Sequence, residues 1–243
     1  MILEDFDFFM EPFEAIDSGK IFIVTINAHS YNMSVQDLFF RDALKNSDIL
    51  LPDGIGVVWA IRWLIGKRIQ RMTGSDLFEY EMARMQQSKG RVFFLGSSET
   101  VLHKIKDRIA KDYSTVKVET FSPPFREEFD DNESMKMIKA VNSFNPDVLF
   151  IGMTAPKQEK WAYKYYNKIQ AKHICCIGAV FDFYAGTVKR APRWMISLGL
   201  EWLYRLCREY PRMWRRVLIG NTKFIYYIIR EKLTHNKMSR KNL

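Results

Sequence analysis

The chain has 243 residues, 47% hydrophobic and 27% charged, with a formal net charge of +9. That composition excludes a disordered, collagenous or disulfide-scaffold chain and suits one large globular domain, or one domain with an appendage. The charge is uneven: fourteen Lys and Arg stand against three Glu from residue 189 onward, a net +11 that leaves the remainder at −2, so an anionic partner (a membrane surface, a diphosphate or a nucleic acid) is expected at that end.

Residues 1–14 are acidic and aromatic, without the basic start and apolar core of a signal peptide. The chain's only Asp-x-Asp pair, Asp5-Phe6-Asp7, falls there and reads as surface. Residues 20–27 are apolar and β-branched; they predict a first strand ending at Thr25 and Asn27. Ser34 is placed to cap a helix over 35–45. Residues 48–52 predict a second strand, cut off at the tight turn Pro52-Asp53-Gly54, with a helix over 57–65. A basic stretch then runs into a capping turn at Thr73-Gly74-Ser75-Asp76 and a helix over 77–87.

Residues 91–98 predict a third strand with a small-residue turn at Gly96, followed by a helix over 100–111. Such a unit can hold phosphate at the helix N-terminus. The dinucleotide fingerprint is incomplete, however, and a plain tight turn explains Gly96 as well. Next come a strand over 116–121, a helix over 132–144, a strand over 147–152, a helix over 161–170, and a sixth strand over 173–180 that ends in Phe181-Asp182-Phe183. Alternating strands and helices predict an α/β fold: a Rossmann-like, mostly parallel sheet with flanking helices, forming the main domain over residues 1–190.

Residues 191–243 predict a basic helical appendage with helices over 191–208 and 217–233. It is too short and polar to span a bilayer, and its aromatics beside Arg and Lys suit a helix lying at a membrane surface. The alternative is packing on the core with a solvated basic face. Trp194, Trp202 and Trp214 fit either arrangement. Cys175, Cys176 and Cys207 form neither a disulfide framework nor a metal spacing; the adjacent pair reads as buried reduced thiols, in a cytoplasmic setting.

Asp53 is the centre of interest. A carboxylate at the carboxyl end of a strand, followed by glycines, is where an open α/β sheet puts chemistry. Capping the next helix is the competing role.

Several motifs occur in one order: Thr25-Ile26-Asn27, Pro52-Asp53-Gly54-Ile55-Gly56, Arg71-Met72-Thr73-Gly74-Ser75-Asp76, Pro156-Lys157-Gln158-Glu159, Arg190-Ala191-Pro192 and Leu200-Glu201-Trp202-Leu203-Tyr204-Arg205. Together they resemble the WecG/TagA/CpsF family of bacterial glycosyltransferases, over roughly residues 13–216. The resemblance implies inverting transfer of a sugar, typically N-acetylmannosamine or its uronic acid, from a UDP-sugar to a polyprenyl-diphosphate-linked sugar. It places the enzyme peripherally on the cytoplasmic face of the plasma membrane, in teichoic acid or polysaccharide synthesis.

By the same resemblance Asp53 is the base, with Thr25 and Asn27 beside the reacting centre. Arg71 and Gln158 are pocket residues, and Arg205, Arg212 and Arg215 belong to an appendage that closes over the site. Two stretches, Ala28-His29-Ser30-Tyr31-Asn32 and Gly152-Met153-Thr154-Ala155, depart from the family pattern and bear on which sugars are used.

Gly96 and Asp182 are added as substrate-binding candidates; Asp182 is either a pocket hydrogen-bonder or a structural carboxylate. Gln158 either binds substrate or caps a helix. No metal and no other cofactor is expected, because arginines can hold the leaving diphosphate in a metal's place. A homo-oligomer is left open and no nucleic acid is expected. The competing function is a nucleotide-binding module that does no chemistry.

Overall fold

The computed structural model describes residues 3–208 and 210–239. Its six strands are β1 (Ile21–Ile26), β2 (Ile49–Pro52), β3 (Arg91–Gly96), β4 (Lys117–Phe121), β5 (Val148–Gly152) and β6 (His173–Cys176). They form one sheet in the order β2-β1-β6-β5-β3-β4, and every neighbouring pair is parallel. This is the α/β, Rossmann-like architecture that the alternation predicts. The inner strands are continuous apolar runs because helices cover both faces of the sheet. On β5, Val148 and Phe150 enter one core while Leu149 and Ile151 enter the other.

The first core is closed by α1 (Ala28–Gln36), α2 (Leu38–Lys45), α3 (Ile55–Ile65), α6 (Asp131–Phe144) and α7 (Lys157–Tyr165). The second is closed by α4 (Gly74–Ser88), α5 (Glu99–Asp112) and the short α8 (Val180–Ala185). Side-chain caps set several of the helix starts: Ser98 for α5, and the reciprocal pairs Thr73/Asp76 for α4 and Asp130/Glu133 for α6.

Several element boundaries differ from the expected ones, among them the helix expected over 191–208, which is broken at 198–200 into two, and the helix expected over 217–233, whose start is a π-helical turn over Arg215–Ile219. A single helix over 35–45 capped by Ser34 is replaced by α1 and α2. Asn27 caps the first, and Asp37 caps the second by accepting from the Phe40 N–H. Helix α7 starts four residues before 161. Strand β6 stops at Cys176, so Asp182 stands in the first turn of α8 and not at a strand end.

The C-terminal part comprises α9 (Arg193–Ser197), α10 (Glu201–Arg208), α11 (Tyr210–Trp214), a π-helical turn over Arg215–Ile219 and α12 (Gly220–Ser239). One side of α12 belongs to the body. Phe224 and Ile228 enter the first core, and Phe224 meets Tyr31 edge-on at 5.3 Å. Glu231, buried, accepts from the Tyr31 hydroxyl at 3.2 Å and from the Leu3 N–H at 2.6 Å. The other side leaves Ile225, Tyr226, Ile229 and Leu233 exposed. Among the described residues, no helix is long and apolar enough to cross a membrane.

Candidate active site

Three backbone hydrogen bonds assemble the neighbourhood of Asp53. Its own N–H donates to Ile26 O at 2.9 Å, which sets it beside the end of β1 and Asn27. The Met72 N–H donates to Pro52 O at 3.1 Å and brings the loop carrying Arg71 alongside. The Gly74 N–H donates to the carboxylate itself. Helix α3 begins at the next residues with Gly54 in the N-cap position and no side-chain cap. Asp53 therefore does not cap that helix.

The turn between α9 and α10 closes over this place. Gly199, at φ +72°, runs so near Ile55 that an added Cβ would stand 3.0 Å from the Ile55 side chain. A bulkier residue would push the turn away. The close approach brings Glu201 near enough to act on Asp53. The Asp53 carboxyl is pushed up to about 6, first by burial and then by the Glu201 carboxylate. Arg71 pulls in the opposite direction, Asp76 adds to the rise, and the Gly74 N–H lowers it.

The strand ends open into a cavity of about 1190 Å³. Thr25, Asn27, Asp53, Arg71, Gln158, Asp182 and Arg205 all line it. The Asn27 Oδ1 is occupied by the N–H groups of His29 and Ser30 at 3.0 and 3.1 Å, so this residue both caps α1 and faces the cavity. The Arg205 guanidinium lies 5.5 Å from the Phe183 ring centre. Asp182 accepts from the Thr187 hydroxyl at 3.2 Å.

Two of the expected site residues lie elsewhere. Gly96 is not in the cavity wall, although Ser97, Ser98 and Glu99 after it are. It is packed against β5, where an added Cβ would be 2.6 Å from Gly152 O. Arg215 is exposed, with its guanidinium 5.2 Å from the Trp214 ring centre, and does not reach the wall. The Arg212 side chain lies outside the described residues.

Gln158 is buried and acts locally as well. Its Oε1 accepts from the Met153 N–H at 3.2 Å, and its Nε2 donates to Glu159 Oε1 at 2.8 Å. It thus fixes the loop ahead of α7, a helix that starts at Lys157 with Pro156 in the N-cap position.

Reading the sequence left Glu159, Arg190 and Glu201 without roles, though all three stand in its motifs and all three line the cavity. Glu159 is 1% exposed, and its Oε2 has no partner. Burial pushes its carboxyl up to about 7. Because the unfolded chain ionises Glu159 from about pH 4.5 and the fold resists this until about 7, wild-type stability falls through that window as pH rises. Glu159→Gln escapes the loss. Its melting temperature relative to wild type is expected to be higher at pH 8 than at pH 5, by an amount corresponding to roughly 2–3 kcal/mol. An offset equal at the two pH values would contradict the assignment.

The cavity's cations are Arg71, Lys157, Arg190 and Arg205. Among the described residues, no three His, Cys, Asp or Glu gather closely enough to hold a metal ion. One side of the opening is apolar: Trp59 and Trp63 of α3 and Ile225 and Ile229 of α12 line it and are exposed. Trp194 and Trp202 are exposed as well.

A carboxylate tuned towards neutrality, facing a strand-end cavity that carries guanidinium groups, suits proton removal beside a phosphorylated leaving group. Comparison with known proteins identifies relatives and a family. The chain is 32% identical over 211 residues to the N-acetylglucosaminyldiphosphoundecaprenol N-acetyl-beta-D-mannosaminyltransferase of Bacillus subtilis strain 168, covering 86% of this chain and 79% of that one. It is 35% identical over 205 residues to the protein of the same name from Bacillus spizizenii, covering 84% and 77%. A third, from Staphylococcus aureus strain MW2, is 26% identical over 215 residues, covering 88% and 82%. The model of the glycosyl transferase WecG/TagA/CpsF family matches residues 6–238, nearly the whole length. The chain is a member of the WecG/TagA/CpsF family of glycosyltransferases.

Proposed function

We propose that the protein transfers N-acetylmannosamine, or a closely related hexose or uronic acid, from a UDP-sugar to a polyprenyl-diphosphate-linked saccharide, with inversion and without a metal. The observation that carries this reading is Asp53, a carboxylate with a raised affinity for protons in the wall of a cavity that also holds Arg71, Arg190 and Arg205.

In the proposed step the acceptor's hydroxyl oxygen attacks the donor's anomeric carbon. The bond from that carbon to the UDP oxygen breaks, and its electron pair leaves with the β-phosphate. The hydroxyl proton passes to Asp53 and from there to water. Thr25 and Asn27 flank the reacting centre, and arginines offset the charge that builds on UDP. The names of the relatives supply the acceptor class, and the cationic wall supports a diphosphate donor.

The segment from residue 191 onward is the part proposed to meet the membrane, on its cytoplasmic face. Exposed Ile225, Ile229, Trp194 and Trp202 beside Arg208 and Arg215 are the content that a lipid surface rewards. The pathway class is synthesis of teichoic acid or another cell-surface polysaccharide.

Incubation with UDP-N-acetylmannosamine and a lipid-diphosphate N-acetylglucosamine, in excess chelator, is expected to give the disaccharide lipid at an undiminished rate. If chelator abolishes transfer and added magnesium or manganese restores it, the metal-free mechanism is wrong.

A further inference from the structure

Among the described residues three buried side-chain atoms have no hydrogen-bond partner: Asn32 Oδ1, Glu159 Oε2 and Arg190 Nε. Native proteins leave few such groups unpaired, and each one calls for an explanation. Four other arginines of this fold pair the same atom. The Nε of Arg41 donates to Ser34 O at 3.0 Å and that of Arg84 to Glu81 at 3.0 Å. The Nε of Arg91 donates to Phe144 O at 2.9 Å, and that of Arg108 to Asp112 at 3.0 Å. Arg190 has no such acceptor and no carboxylate within ion-pairing distance among the described residues, although Asp53, Glu99, Glu159, Asp182 and Glu201 share its cavity.

The backbone holds Arg190 in place from both sides. Ahead of it, the N–H groups of Thr187 and Val188 both donate to Asp182 O, at 3.1 and 3.2 Å. Behind it, Ala191 is buried and Pro192 O accepts from Met195 at 2.9 Å and Ile196 at 3.1 Å. A guanidinium whose buried Nε–H lacks an acceptor, on a segment held at both ends and in a cavity wall, matches an oxyanion with paired oxygens.

We propose that Arg190 is a ligand of a diphosphate bound in this cavity, its Nε–H and a terminal N–H donating to phosphate oxygens. The inference rests on the reading of the cavity as a site for diphosphate substrates, and it assigns to Arg190 the cationic role that sequence reasoning gave to Arg215. Asp182 then works through its tie to Thr187 and Val188 and positions the loop that carries Arg190.

Titration calorimetry tests this without requiring turnover. UDP and uridine are one pair of probes; geranyl diphosphate and geraniol are the other. The proteins are wild type, Arg190→Ala and Arg190→Lys, at one ionic strength. Arg190→Ala is expected to weaken one diphosphate probe by about 10- to 100-fold and leave its uncharged partner unchanged. Arg190→Lys should recover part of the loss, since it restores the charge and not the fork. A loss confined to UDP identifies the donor's diphosphate, and one confined to geranyl diphosphate the acceptor's. Should Arg190→Ala fail to fold, Arg190→Lys and Arg190→Gln read the same difference.

The proposal is overturned if folded variants bind both diphosphates as wild type does, or lose uridine or geraniol equally. Wild type that prefers neither diphosphate to its uncharged partner also overturns it. A protein that binds UDP through Arg190 and makes no product would sink the transferase reading alone; one that makes product with an affinity indifferent to Arg190 would sink this inference alone.

Discussion

Asp53→Asn is expected to slow sugar transfer by about 10²- to 10⁴-fold, the usual worth of a general base, in a protein that still folds. Asparagine keeps the shape and can still accept from the Gly74 N–H, but it takes no proton. Thermal melting separates lost chemistry from lost folding. The Asp53 carboxyl ionises near 3.8 in the unfolded chain and near 6 in the fold. Between those values the unfolded state releases the proton more readily, so wild type loses stability as pH rises through that window. A neutral amide avoids the loss, and Asp53→Asn should melt no lower than wild type at pH 7.5. The wild-type rate should also climb with pH through about 6 and then level off, since the base must be ionised to work. That limb should vanish from the residual activity of the Asn variant. An Asn variant that is folded and fully active would remove Asp53 from the mechanism.

Gly96→Ala is expected to be the most damaging single methyl considered for this fold. Gly96 has φ +118°, a conformation that side chains rarely adopt, and an added Cβ would meet Gly152 O at 2.6 Å and Gly152 C at 2.8 Å. Both obstacles are backbone of the adjacent strand β5, so neither can turn aside. Strained backbone costs about 1–3 kcal/mol and overpacking about as much again. Together these take a large part of a typical stability of 5–15 kcal/mol. At about 2–4 °C per kcal/mol for a chain of this size, the melting temperature should fall by roughly 10 °C or more. Gly186→Ala is the control. It also has positive φ, at +72°, but nothing lies within 4 Å of an added Cβ, so its cost should stay near 1 kcal/mol. Equal effects at the two glycines would contradict the packing role given to Gly96 in place of a ligand contact.

The strands were the most legible part of the chain. All but the edge strand β4 are largely apolar runs, and burial on both faces makes such runs stand out. The pattern carries the sixth strand too far because Val180 and Phe181 are core residues in either conformation. Their hydrophobicity does not say that the chain has already turned into α8. Helix α1 gives no helical signal before Ser34 because Ser30, Asn32 and Ser34 look like a loop. They are buried partly because α12, nearly two hundred residues later, lies against them: Asn32 Nδ2 donates to Gly220 O at 2.7 Å. No local pattern carries that partnership.

The site followed the same rule. Asp53, Thr25 and Asn27 stand at strand ends and could be named from the pattern and the family resemblance. Glu201 raises the Asp53 carboxyl from a position about 150 residues away in the chain, on a tail whose Gly199 packs against Ile55. Arg190 and Arg215 look alike in sequence, and only the fold separates the one in the cavity wall from the one outside it.

The most direct measurement of the whole account is the structure of the product made by wild-type protein. UDP-N-acetylmannosamine with an α linkage and a short-chain lipid-diphosphate N-acetylglucosamine would be the substrates, with mass and proton NMR of the lipid product as the readout. Direct displacement assisted by Asp53 predicts one added N-acetylmannosamine in β linkage. An α-linked product, or UDP binding with no product across a panel of UDP-sugars, would contradict it.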